Sequence, residues 1–187
     1  MTLMGALLSA CASDVEQPTT LEPSSAAVST PAVATPPSGE PAPDPPAAPV
    51  LPAEGREQTA AGAIAFVRHY FAVVDYAYAT GDTAPLAAAS DPKCAACAGV
   101  KDMVDSTFVT GGYFDSSTTM VGQLNVSDGE ALGAVEVMAV TSEPLTRFLD
   151  ANGDELRRFE AVQDQKSRVI VVPTEDGWAV RIVAELI

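Results

Sequence analysis

From residue 59 to residue 80 apolar positions recur every three or four residues. Ile64, Val67, Phe71, Val74 and Tyr78 mark one face, and Phe66, Tyr70 and Val73 widen it. That period predicts an amphipathic helix over 59–80. Gly81 stands at the position where a left-handed residue ends a helix, and Asp82 follows it. Pro85 suits the first turn of a short second helix over 85–89, capped by Asp82 or Thr83. Asp91-Pro92-Lys93 then breaks the chain. A third helix is predicted over 94–110, with Cys97, Val100, Val104 and Phe108 on one face and Gly111-Gly112 at its end.

Beyond Gly112 the pattern changes to runs rich in Val, Thr and Met. Strands are predicted over 114–126 and 131–141, with Ser127-Asp128-Gly129 as the turn between them. Residues 145–149 and 156–162 flank Asp150-Ala151-Asn152-Gly153-Asp154, a second hairpin signal. A run over 166–173 carries Val169-Ile170-Val171-Val172, and Glu175-Asp176-Gly177 turns it into a last strand from Trp178. Helices first and antiparallel strands afterwards make an α+β domain over 56–187. Its three N-terminal helices are expected to pack on one curved antiparallel sheet.

Before residue 56 there is no aromatic residue and no periodic face. All eleven aromatics lie between Phe66 and Trp178, whereas eleven of the fifteen prolines lie between Pro18 and Pro52. An Ala/Pro/Ser/Thr segment of this kind buries too little surface to offset its ordering entropy. Residues 11–55 are therefore expected to form a disordered linker, with polyproline II in its Pro runs. Extended, it would reach roughly 140 Å; coiled, about 40 Å.

Charge removes one class of function. The net charge is −15, with 10 Lys and Arg against 25 Asp and Glu. A nucleic-acid partner needs a basic patch, and the sequence has none. No run of 18 apolar residues exists, so no helical membrane span is expected.

Residues 3–10, Leu-Met-Gly-Ala-Leu-Leu-Ser-Ala, are a short apolar run ending in small residues ahead of Cys11. The pattern is that of a signal peptide over 1–10. Leu8-Ser9-Ala10-Cys11 resembles a bacterial lipobox, which implies a diacylglyceryl group on the Cys11 thiol, cleavage before it, and a membrane anchor at the outer face of the cell membrane. The first basic residue is Arg56. A signal peptide needs a positive leading region, so the natural start is expected upstream of Met1.

Three helices followed by a meander that ends in Gly177-Trp178-Ala179-Val180 resemble the cone-shaped, cystatin-like fold of nuclear transport factor two. Tyr78-Ala79-Thr80-Gly81-Asp82 with Asp91-Pro92-Lys93-Cys94-Ala95-Ala96-Cys97 is more specific. It resembles an actinobacterial lipoprotein family, domain of unknown function number 6318. The likeness covers residues 54–187 and the lipobox. The family brings no established activity to carry over.

Four places carry candidate chemistry. Cys94 and Cys97 are spaced for a disulfide, for a redox pair at a helix N-terminus beside Lys93, or for half of a metal site. The metal reading lacks ligands, since His69 is the sole histidine. His69 flanks the first helix, with Tyr76 on roughly its face and no nucleophile in place; a surface position is expected. Cone folds can enclose an apolar pocket. Tyr70, Asp75, Tyr76, Tyr78, Tyr113 and Trp178 are its candidate lining, with core tyrosines as the plainer alternative. Arg157-Arg158 reads as a solvated strand start, and Asp150–Asp154 as a turn rather than a calcium loop.

The combined expectation is a lipid-anchored envelope protein with a non-catalytic module that binds a small apolar ligand or an envelope protein. The alternative is an enzyme of the cone pocket, or a thiol-disulfide oxidoreductase at Cys94 and Cys97. No cofactor or metal is expected, and a homodimer paired through the sheet is the candidate assembly.

Overall fold

Thr59 opens the first helix as a sequence cap should. Its side chain accepts a hydrogen bond from the Gly62 backbone N–H at 3.0 Å. Helix α1 runs Ala60–Thr80 and stops at Gly81, whose φ of 76° admits the left-handed turn. The computed structural model describes residues 46–127 and 133–186. Cys11, the signal segment, most of the linker and the Asp128-Gly129 turn lie outside those residues.

Helix α2 spans Ala84–Ala88 and buries Leu86 completely. Helix α3 spans Ala95–Val109 and starts at Cys94, whose Sγ accepts from the Cys97 N–H at 3.2 Å. Seven strands follow: β1 Tyr113–Asp115, β2 Met120–Ser127, β3 Val135–Glu143, β4 Thr146–Leu149, β5 Glu155–Phe159, β6 Val162–Thr174 and β7 Gly177–Glu185.

The strands form two antiparallel sheets, which corrects the expected single curved sheet. One has the order β2-β3-β6-β7, the other β1-β4-β5. The expected strand over 114–126 is two strands, one in each sheet, parted at residues 116–119. The cause is local. Thr119 gives both its N–H, at 3.0 Å, and its hydroxyl, at 2.8 Å, to the Asp75 carboxylate on α1. Ser116 shares a hydrogen bond with Thr146 of β4 at 2.8 Å. Polar groups spent this way are lost to a sheet ladder.

The chain crosses between the sheets three times: at 116–119, at 144–145 and at 160–161. Pro144 has no N–H to continue the β3 ladder. Phe114 on β1 fastens the small sheet to the helices. Its ring lies 4.9 Å from Tyr78, 6.0 Å from Phe108 and 4.6 Å from Phe148.

The core lies between α1 and the large sheet. Ala63, Phe66, Val67, Tyr70, Val73 and Ala77 are the buried side of α1. Facing them are Val137, Ala139 and Thr141 of β3, Val169 and Val171 of β6, and Val180 of β7. The half-buried side of α1, with Phe71, Val74 and Tyr78, packs against the edge of this core.

The entrance to the domain is clamped to the β6–β7 turn. Residues Ala53–Arg56 form a single 3₁₀ turn against α1. Trp178 Nε1 donates to the Glu57 carbonyl at 2.8 Å, and Gln58 Nε2 donates to the Thr174 carbonyl at 2.9 Å. Gly177 has φ of 126°, and a Cβ there would stand 2.9 Å from the Arg56 Cα. Only glycine suits that approach.

Candidate functional site

Where the two sheets part, a cavity of about 360 Å³ opens beside α1. All three crossings border it: Ser116 and Thr119 from the first, Glu143, Pro144 and Thr146 around the second, Phe159 and Glu160 at the third. Helix α1 contributes Tyr70, Phe71, Val74, Asp75 and Tyr78, and α3 contributes Ala96, Val100 and Met103. Val183 and Glu185 close it from β7. A cavity of this size is within the range of about 300–1,000 Å³ common for small-molecule sites.

Its walls are mostly apolar, with carboxylates set among them. Asp75 is half-buried and held by the Thr119 N–H and hydroxyl. Burial raises its pKa above the usual carboxylate value, and the two Thr119 hydrogen bonds oppose that rise. Glu143 is raised as well, by desolvation first and then by the negative charges of Glu185 and Asp75. The Tyr78 hydroxyl is pushed up to about 12, by burial first and then by Glu143 and Asp75. Burial also pushes the Tyr70 hydroxyl upward. Asp75 and Glu143 thus feel each other's charge, with Glu143 and Glu185 at the exposed edge of the cavity.

A carboxyl whose folded pKa lies above its unfolded value favours the protonated fold. Its stabilising contribution is complete below the unfolded pKa and is lost as pH rises through the folded one. Glu143→Gln is accordingly expected to raise the melting temperature at pH 7 and to leave it nearly unchanged at pH 4. Equal shifts at both values would show that Glu143 is not held uncomfortably in this field. Differential scanning calorimetry at the two pH values checks it.

Of the expected pocket residues Tyr70, Tyr76, Tyr113 and Trp178, Tyr70 alone borders the cavity, and its hydroxyl donates to Cys97 Sγ at 3.4 Å. Tyr76 lies on a shallower groove with Pro46, Ala47 and Pro49, its hydroxyl 3.1 Å from Asp82. Tyr113 is exposed on β1, and Trp178 is buried at the entrance clamp; neither borders the cavity. Asp75 and Tyr78 do, as the sequence suggested. Glu143, Glu160 and Glu185 were missed, because each stands at a strand end that only the sheet pairing brings to α1.

The remaining sequence candidates lie elsewhere. Cys94 and Cys97 form a disulfide, and both residues are 2% exposed. His69 is half-buried on α1, and its pKa is lowered by burial and then by Arg56. Arg158 pairs with Glu155, and the Arg157 guanidinium lies 4.6 Å from the centre of the Phe159 ring. Asp150 Oδ1 accepts from the Asn152 and Asp154 N–H groups, which makes its loop a hairpin turn. Among the described residues, no group of three or more His, Cys, Asp or Glu is arranged to hold a metal ion. No helix among them is long and apolar enough to cross a membrane.

A family model described as "Family of unknown function (DUF6318)" matches residues 34–182. The chain belongs to this family. The family match therefore spans the helices and both sheets up to Ile182, and all of the cavity lining but Val183 and Glu185. No curated protein matches the DUF6318 chain. Among solved structures, the intermembrane space region of the chloroplast protein ARC6 aligns at 18% identity and a TM-score of 0.52, over 68% of this chain and 96% of that one. Aln2 from a Streptomyces species aligns at 13% identity and a TM-score of 0.42, over 66% and 89%. A putative aromatic ring hydroxylase from Novosphingobium aromaticivorans aligns at 13% and 0.35, over 66% and 78%. The likeness to the ARC6 region is one of fold.

Proposed function

We propose that this DUF6318 chain is a lipid-anchored module of an actinobacterial cell envelope that binds a small, largely apolar ligand without transforming it. The single observation that carries the binding reading is the cavity at the parting of the sheets, about 360 Å³ and walled by Phe71, Val74, Val100 and Met103. Its apolar lining is surface that a small apolar ligand would take out of water. Ala96 offers a clean test, because it is exposed, borders the cavity and packs against little. Nile red, a neutral apolar dye, is expected to fluoresce strongly with the full-length chain. Ala96→Trp is expected to weaken its binding at least about tenfold while the melting temperature holds within about 2 °C. Unchanged dye binding in Ala96→Trp, or no binding to the parent chain, would refute the reading.

The anchor rests on sequence. Leu8-Ser9-Ala10-Cys11 supplies the acceptor thiol, and two or three acyl chains hold a protein stably where one does not. Cys11→Ser is expected to move the protein from the membrane fraction to the soluble fraction of its host. A variant that stays in the membrane fraction unchanged would remove the anchor from the proposal. The burial of Cys94 and Cys97 favours a structural bond over an oxidoreductase centre, which needs an accessible thiolate.

A further inference from the structure

The binding reading names a cavity and leaves its occupant open. The carboxylates around that cavity narrow the choice, and the inference here rests on that reading. Four carboxylates border it, from four different parts of the fold: Asp75 of α1, Glu143 of β3, Glu160 after β5 and Glu185 of β7. No Lys, Arg or His is among the residues that border it. Glu160 already faces Arg158 at 4.0 Å. Asp75 has only the Thr119 donors, and Glu143 and Glu185 enter no ion pair among the described residues.

The opposite wall is apolar. Phe71 and Val74 of α1, Val100 and Met103 of α3, and Phe159 of β5 supply it. We propose that the cavity takes a small amphiphilic amine: an apolar body against the helices and a protonated nitrogen at the rim, between Glu143, Glu185 and Asp75. A cation there would relieve the like-charge repulsion among these carboxylates, and its N–H groups would give charge-assisted hydrogen bonds to their oxygens. No three of these groups converge on one point among the described residues, so the nitrogen pairs with one or two of them at a time.

Titration follows from the groups that face the cavity on each element. On α1 these are Asp75, Tyr70 and Tyr78; on β3, Glu143; after β5, Glu160; on β7, Glu185; α3 contributes none. The tyrosines stay neutral up to high pH. Protonating Asp75 and Glu143, whose carboxyls are raised above the usual range, therefore removes charge that selects the amine, and amine binding weakens as pH falls from 7 to 4.

The test is calorimetric titration of the full-length Cys11→Ser chain with three matched probes: octylammonium, octanol and octanoate. Octylammonium is expected to bind about tenfold tighter than octanol at pH 7, and octanoate weaker than octanol. One charge-assisted hydrogen bond is sufficient for that ratio. The advantage of the amine over octanol is expected to vanish in Glu143→Gln/Glu185→Gln; that variant still carries a large net negative charge. Equal binding of amine and alcohol by the parent chain overturns the amine inference and leaves the apolar site standing. So does an amine advantage that survives in the double variant, which would reflect the overall charge of the protein. If none of the three binds, the cavity reading falls with it. The comparison of probes on the parent chain decides the matter even if the variant fails to fold.

Discussion

Trp178→Ala is expected to destabilise the domain by about 3–5 kcal/mol, the usual range for removing a buried large aromatic. The indole is 6% exposed, and its Nε1–H satisfies the Glu57 carbonyl at 2.8 Å. Alanine would leave a cavity and take away one of the two hydrogen bonds of the Glu57 carbonyl, which also accepts from the Thr59 N–H at 2.8 Å. Trp178→Phe separates the two contributions. It keeps most of the apolar burial and loses the hydrogen bond, so about 1–2 kcal/mol is expected. Urea unfolding monitored by circular dichroism measures both. If alanine costs under about 1 kcal/mol, the entrance clamp is not part of the cooperative fold.

The second large effect concerns the small sheet. Its three strands are short, and all five residues of β5 are exposed. Such a sheet has little stability alone. What holds it is the aromatic chain from Tyr78 and Phe108 through Phe114 to Phe148 and Phe159. Phe114→Ala removes the middle of that chain and is expected to cost about 3–5 kcal/mol. The loss should be uneven. Amide hydrogen exchange is expected to quicken most in β1, β4 and β5, and least in β3 and β6. Uniform quickening across both sheets would mean that the small sheet does not unfold as a separate unit.

The helices were legible because their signals are local. Thr59, the three-to-four spacing of the apolar residues and Gly81 fix α1 without reference to anything distant. The division into two sheets was not legible. Residues 115–119, Asp-Ser-Ser-Thr-Thr, contain no proline or glycine, and nothing in them forbids a continuous strand. The break depends on Asp75, which takes the Thr119 N–H from 44 positions away. The cavity was hidden for the same reason. Tyr70, Asp75 and Tyr78 could be named from α1 alone. Glu143 and Glu185 meet them only through the ladder β3-β6-β7, in which Thr141 pairs with Gln165 and Ser167 pairs with Glu185. The helix face also divided differently from its periodicity. Phe71, Val74 and Tyr78 looked like the centre of a core stripe, and they instead wall the cavity.

The entrance clamp has a mechanical consequence. A pull on the chain ahead of Ala53 meets the Trp178–Glu57 and Gln58–Thr174 hydrogen bonds before it reaches α1. Tension entering from that side passes into the β6–β7 turn, and from there along β6 and β7 of the large sheet. Helix α1, with the cavity wall it carries, lies beyond that point of attachment. Strain from a tether would enter the sheet first and, through Val183 and Glu185 of β7, reach one wall of the binding space before it reached α1.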